Sequence, residues 1–96
     1  MLSVAHQSYP NIEHLVIEDG GNSLQHVVED IGLYCSRPAK YISVEKHGRS
    51  VAGNVGLSNA TGHWCMFLDD DDLLFGDHVE LLVSALFSNS DAAAAY

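Results

Sequence analysis

Residues 64–74 have the sequence WCMFLDDDDLL, in which five apolar residues run directly into four carboxylates. The apolar run predicts a buried strand, and open α/β sheets bind their ligands at the carboxyl ends of strands. Four adjacent carboxylates repel one another unless water or a cation solvates them, so a divalent ion held by two of them is one interpretation. A solvated acidic turn before the next helix is the other, and the local sequence slightly favours the turn.

An EF-hand is excluded as the form of such a metal site. Asp69, Asp71 and Glu80 occupy loop positions one, three and twelve. Leu73 and Leu74, however, stand at positions five and six, where an oxygen ligand and a glycine are needed. A metal would therefore lie in an open site.

Composition indicates one globular domain over residues 1–96. The chain is 47% hydrophobic with a formal net charge of -9, so it is neither disordered nor suited to a nucleic-acid backbone. No apolar run approaches the roughly 20 residues needed to span a bilayer. Cys35 and Cys65 lack a CxxC spacing and are predicted to be buried, reduced thiols. We expect a cytoplasmic protein.

Helical and strand patterns alternate along the whole chain. The predicted elements are a helix end at Leu2–Gln7, a strand at Ile12–Glu18, a helix capped by Asn22 or Ser23 and reaching Tyr34, a strand at Lys40–Glu45, a helix at Val51–Asn59 closed by Gly62, the strand 64–68, a helix opened by an Asp77/Glu80 capping box, and the start of a strand at 92–96. This order predicts an α/β fold with a mostly parallel sheet and helices on both faces. Trp64 and Phe67 are then expected in the core.

Four sequence blocks, in order, carry a family resemblance. They are Gln7–Glu13 (QSYPNIE), Val16–Gly21 (VIEDGG), Asn54–Leu57 with Ala60–Gly62, and Phe67–Asp72 (FLDDDD). Together they resemble the family 2 glycosyltransferases of the GT-A fold, a Rossmann-like α/β architecture.

The resemblance implies inverting transfer of a sugar, of hexosyl type, from a nucleotide diphosphate sugar to an unknown acceptor, with a UDP-sugar expected first. Asp19 resembles the family acid that contacts the nucleotide base. The other expected contacts with the nucleotide sugar are Asn54, Asp69 and Asp70. Asp69 and Asp71 match the ends of the DxD motif and are expected to hold Mn²⁺ or Mg²⁺, which would relieve the repulsion between an acidic protein and a diphosphate.

Three positions depart from the family pattern. Glu18 is a mild change, Gly21 stands where a serine is usual, and Gly53 stands where an arginine is frequent. The resemblance also implies that the family's first strand and its acceptor-binding half lie outside the chain, truncating the domain at both ends. The general base would lie in that half, so no catalytic residue is named. We expect the 96 residues alone not to transfer sugar and to be either poorly stable or self-associating. We expect a longer form to work at the inner face of the membrane.

Two interpretations remain for the basic and imidazole side chains near the acidic run. His63 and His78 are expected beside a metal or on the surface rather than as ligands. His47 with Arg49 would either contact phosphate or lie in an ordinary solvated loop.

A different class of function also stays open. The chain would then be a non-catalytic α/β fragment or metal-binding module that assembles with a partner. A phosphoacceptor receiver domain is less favoured, because no lysine follows Asp72.

Overall fold

A computed structural model describes residues 1–34 and 37–96. Its elements, in chain order, are α1 (Leu2–Ala5), β1 (His14–Asp19), α2 (Gln25–Tyr34), β2 (Ala39–Val44), α3 (Arg49–Asn59) and α4 (His78–Ser88). The chain forms two compact units. Ile12–Asp69 is the sheet unit, and Met1–Asn11 with Asp70–Tyr96 is the helical unit.

The sheet unit is built on two parallel strands joined by α2. The register aligns His14 with Ala39 at one end of the ladder and Asp19 with Val44 at the other. Parallel strands end at the same edge of a sheet, so Asp19 and the residues after Val44 lie together. The strand–helix–strand unit predicted from the sequence is confirmed, with boundaries that differ from the predicted ones by at most two residues.

The helices α2 and α3 of the sheet unit pack on the strands, α2 on β2 and α3 on β1. Val28, which lies on α2, is the buried apolar side chain among the described residues. Gly56 of α3 lies against β1, where an added Cβ would make an ordinary van der Waals contact of 3.6 Å with Ile17 Cγ1. Gly53, one turn earlier, has the same spacing of 3.6 Å to a ring carbon of Phe67.

The helical unit is held together by the side chain of Gln7, which is buried. Its Nε2 donates to the carbonyl oxygens of Ser3, at 3.0 Å, and Phe75, at 2.7 Å. Its Oε1 accepts the N–H of Val79, in the first turn of α4, at 2.9 Å. The predicted capping box is not formed, because Asp77 is the N-cap residue of α4 but its side chain makes no capping bond. Gln7 accepts an N–H of the first turn in its place.

The predicted strand at 64–68 is not formed. A strand needs a neighbour to satisfy its backbone N–H and C=O groups, and the sheet of the described residues contains only β1 and β2. With no sheet to cover them, Trp64 and Phe67 are 42% and 67% exposed, so their expected place in the core is also wrong. Residues 92–96 likewise form no strand.

Two smaller predictions also fail. The helix α3 ends through Ala60 in an extended conformation (φ -71°, ψ 137°), and Gly62 is not in the left-handed region. Cys65 is exposed, so its predicted burial is wrong, because residues 64–68 have no strand cover. Cys35 lies outside the described residues.

Every helix within residues 1–34 and 37–96 is too short or too polar to cross a membrane.

Candidate functional site

Asp19 closes β1 and binds the loop that follows β2. Its Oδ1 accepts the backbone N–H of His47 at 3.0 Å, and its Oδ2 accepts that of Gly48 at 3.1 Å. Gly48 has φ +98°, a conformation that a residue with a Cβ rarely adopts. The carboxylate predicted to contact a nucleotide base therefore also fixes the path of residues 47–48.

Glu18, the residue before Asp19, is buried and anchors the start of α2. Its carboxylate accepts the N–H and hydroxyl of Ser23, at 3.0 and 2.6 Å, and the N–H of Leu24 at 3.1 Å. The Tyr41 hydroxyl, from β2, donates to the same carboxylate. The two hydroxyl donors are the main reason that the pKa of Glu18 falls to about 2.

This role of Glu18 was not predicted from the sequence. The signal was an acid at a strand end with a serine five residues later, at the start of a helix. A helix N-terminus has unsatisfied N–H groups, and a carboxylate is among their best acceptors. Glu18 thus stabilises the turn that carries Asp19.

The acidic run Asp69–Asp72 is exposed at all four side chains. Carboxylate oxygens of Asp69, Asp71 and Asp72 lie within 4.8 Å of one another. Because the residues are consecutive, this gathering is a local property of the chain. Three carboxylate oxygens form a donor set that suits a hard divalent cation such as Mn²⁺ or Mg²⁺. Asp72, which was not predicted as a ligand, belongs to this group of carboxylates, and Asp70 does not.

Arg49, the first residue of α3, forms an ion pair with Asp69. A guanidinium N–H donates to Asp69 Oδ1, and the side chains of Arg49 and Asp69 are 82% and 52% exposed. Contact between Arg49 and phosphate stays a prediction. The pairing itself was not predicted, because twenty residues separate the partners in the sequence and no local pattern connects them.

The other predicted site side chains have separate surroundings. Asn54 is on α3 with an exposed side chain. The His47 ring lies 3.5 Å from the carboxylate of Glu45. His63 packs edge-on against Trp64 with ring centroids 5.2 Å apart, and His78 begins α4.

Within the sheet unit, a short series of contacts connects two of the predicted site acids. Asp19 holds the backbone of His47 and Gly48, and the next residue, Arg49, pairs with Asp69. A model of the family described as Glycosyl transferase family 2 matches residues 1–96. The chain belongs to this family. Its membership confirms the predicted family, and the helices and parallel sheet confirm the α/β fold class.

Several curated relatives in bacteria are similar over most of the chain. Glycosyltransferase GlyA of Streptococcus pneumoniae serotype 4 is 35% identical over 83% of the chain and 12% of its own length. Glycosyltransferase YwdF of Bacillus subtilis, described as uncharacterized, is 33% identical over 94% of the chain and 34% of its own length. An uncharacterized glycosyltransferase of Haemophilus influenzae is 31% identical over 93% of the chain and 36% of its own length.

The chain thus spans between 12% and 36% of the length of these three relatives. No solved structure matches it significantly.

Proposed function

We propose that the chain is the donor-binding region of an inverting glycosyltransferase of hexosyl type, which takes a nucleotide diphosphate sugar, with UDP as the first nucleotide to test. The observation that carries this proposal is the gathering of Asp69, Asp71 and Asp72 carboxylates in a member of glycosyl transferase family 2.

The acids have separate roles in this proposal. Asp69 and Asp71 hold Mn²⁺ or Mg²⁺, and Asp72 is close enough to support them. When bound, the ion offsets the charge of the diphosphate and of the nucleotide that leaves. Asp19 faces the nucleotide base from the end of β1, and Asn54 and Asp70 contact the remainder of the donor. The acceptor is unidentified, and the place of action is the cytoplasm, at the inner face of the membrane in a longer form.

A paired substitution tests the donor site. Asp71→Ala is expected to weaken binding of UDP in the presence of Mn²⁺ by about tenfold or more, because a charge-assisted contact to the bridging ion is lost. Asp91→Ala is the control, since it removes the same charge from an exposed turn. Calorimetric titration of each variant with UDP at saturating Mn²⁺ gives the affinities. Equal affinity for Asp71→Ala and the parent would show that the acidic run is a solvated turn.

An alternative function, a non-catalytic module completed by a partner, is favoured by one observation. Large apolar side chains such as Leu73 and Phe75 are more than four-fifths exposed. Such a module would bind Mn²⁺ without any effect of the ion on UDP affinity. The same calorimetric titration, run with and without Mn²⁺, distinguishes the two functions.

A further inference from the structure

The ion pair between Arg49 and Asp69 places a cation on a residue that is also a candidate metal ligand. Asp69 contributes one carboxylate to the gathered group, and its Oδ1 accepts the guanidinium of Arg49. An oxygen that accepts a guanidinium N–H has less capacity left for a divalent ion. Arg49 and such an ion therefore compete for Asp69.

The backbone around Arg49 is held in place by the other predicted donor-site acid. Asp19 accepts the N–H groups of His47 and Gly48, the two residues before Arg49, and α3 starts at Arg49 itself. The long side chain of Arg49 remains 82% exposed. A fixed backbone with an exposed side chain allows the guanidinium to change partner without movement of the loop.

The ion pair is also weak enough to exchange. Ion pairs between exposed side chains contribute little to stability, because water and salt screen them. The guanidinium, by contrast, matches the geometry of two phosphate oxygens and binds phosphate in a bidentate manner. A diphosphate close to Asp69 would therefore be the preferred partner once the carboxylate is taken by an ion.

We infer that Arg49 is a donor-binding residue that exchanges partners: it pairs with Asp69 until a divalent ion takes that carboxylate, and then donates its N–H groups to the diphosphate of the nucleotide. This inference rests on the proposed function. It predicts effects of opposite sign on the two ligands when Arg49 is removed. A residue that only stabilises the fold would weaken the binding of both.

Arg49→Gln tests the exchange by two titrations of the chain, the first with Mn²⁺ alone and the second with UDP at saturating Mn²⁺. We expect Mn²⁺ to bind about two- to fivefold more tightly, because a competing exposed ion pair is removed. We expect UDP to bind about tenfold or more weakly, because a charge-assisted contact to phosphate is lost. Arg49→Lys keeps the charge without the planar fork, so it should restore the Mn²⁺ affinity of the parent and only part of the UDP affinity.

Lys40→Gln is the matched control for the loss of one positive charge. Lys40 is exposed near the amino end of β2, opposite the edge that carries Asp19. Its removal should leave UDP affinity within about twofold of the parent, since it measures only the general electrostatic effect. Arg49→Gln overturns the inference if it weakens both ligands, or if its effects equal those of Lys40→Gln. A parent chain that binds Mn²⁺ but shows no Mn²⁺-dependent UDP binding overturns the proposed function, and the inference with it.

Discussion

Glu18 and Asp19 are adjacent acids with different environments. Glu18 is buried and accepts hydrogen bonds from Ser23, Leu24 and Tyr41, whereas Asp19 is partly exposed and accepts two backbone N–H groups. A strand alternates its side chains between two faces, so neighbouring acids at a strand end point to different surroundings. Glu18 stabilises the turn before α2, and Asp19 stays partly exposed while it holds the loop after β2.

The lowered pKa of Glu18 makes the free energy of unfolding depend on pH in the acid range. A carboxyl whose pKa falls to about 2 on folding contributes stability above its unfolded pKa, near 4.3, and this contribution is lost as the pH falls toward 2. Glu18→Gln should lower the Tm at pH 7 by several degrees. It should also reduce the fall in unfolding free energy between pH 5 and pH 3, measured by urea denaturation.

Glu29→Gln is the control for this experiment, because Glu29 is exposed on α2. It should keep the pH dependence of the parent. Part of that dependence remains in Glu18→Gln as well, since the backbone N–H of Thr61 lowers the pKa of Glu13. An unchanged slope in Glu18→Gln would contradict the assignment of Glu18 as the main acid-sensitive group.

Gly20, which follows Asp19, is a position where any residue with a side chain is expected to be destabilising. Its φ is +94°, and an added Cβ would lie 3.1 Å from Lys46 Cβ. Gly20→Ala should therefore lower the unfolding free energy by about 1–2 kcal/mol. Gly76→Ala is the matched control, because a Cβ there meets no atom within 4 Å, and it should stay within about 0.5 kcal/mol of the parent. Equal unfolding free energies for the two variants in urea denaturation would contradict the strain at Gly20.

The helix α4 shows which parts of an element its own sequence predicts. Val79, Leu82 and Leu86 recur at helical spacing, so the helix itself was predicted correctly. The acceptor for its first-turn N–H groups was not predicted, because Gln7, which accepts the N–H of Val79, lies about seventy residues earlier. Local periodicity carries no information on a partner so distant in sequence.

The segment 64–68 shows the same limit for a strand. Its apolar run favours burial but does not specify which strand would pair with it. No partner strand is found among the described residues. The candidate site also has one part that the sequence predicts and one part that it does not. The gathering of Asp69, Asp71 and Asp72 follows from their adjacency and was largely predictable, whereas the contact of Arg49 with Asp69 required the fold.

Gln7 should be essential for the start of α4. Gln7→Ala leaves the N–H of Val79 without its partner and removes one of the two donors to the carbonyl of Phe75, which also accepts the N–H of His78. The loss should cost about 1–3 kcal/mol. We expect a lower unfolding free energy and faster hydrogen exchange at the Val79 amide. Ser8→Ala, which removes only an exposed hydrogen bond to Glu80, should stay within about 0.5 kcal/mol of the parent. Parent-like exchange at Val79 in Gln7→Ala would contradict this role.

The molecule as a whole combines a net charge of -9 with exposed apolar side chains. Leu73, Phe75 and Phe87 are 83%, 84% and 77% exposed, and such surfaces favour association. Charge repulsion opposes association at low salt, where it extends about 30 Å at 0.01 M, and is screened to about 3 Å at 1 M. Self-association should therefore increase with salt.

Sedimentation velocity at low and high sodium chloride measures this effect. The mean mass of the chain should rise with salt, and Phe75→Ser combined with Phe87→Ser should reduce the rise. Asp91→Asn, which changes charge without changing apolar surface, should leave the high-salt association in place. A chain that stays monomeric at both salt concentrations would contradict the prediction.

The parallel register of β1 and β2 has a consequence for the growing chain on the ribosome. Each ladder pair joins residues about 25 positions apart, as His14 with Ala39. At 5–20 residues per second, β1 waits about 1–5 s for its partner to be synthesised. The intervening helix needs only local hydrogen bonds, and helix–coil relaxation takes about a microsecond or less. The nascent chain therefore carries an apolar, unpaired β1 for seconds, which is the interval in which a chaperone would meet it.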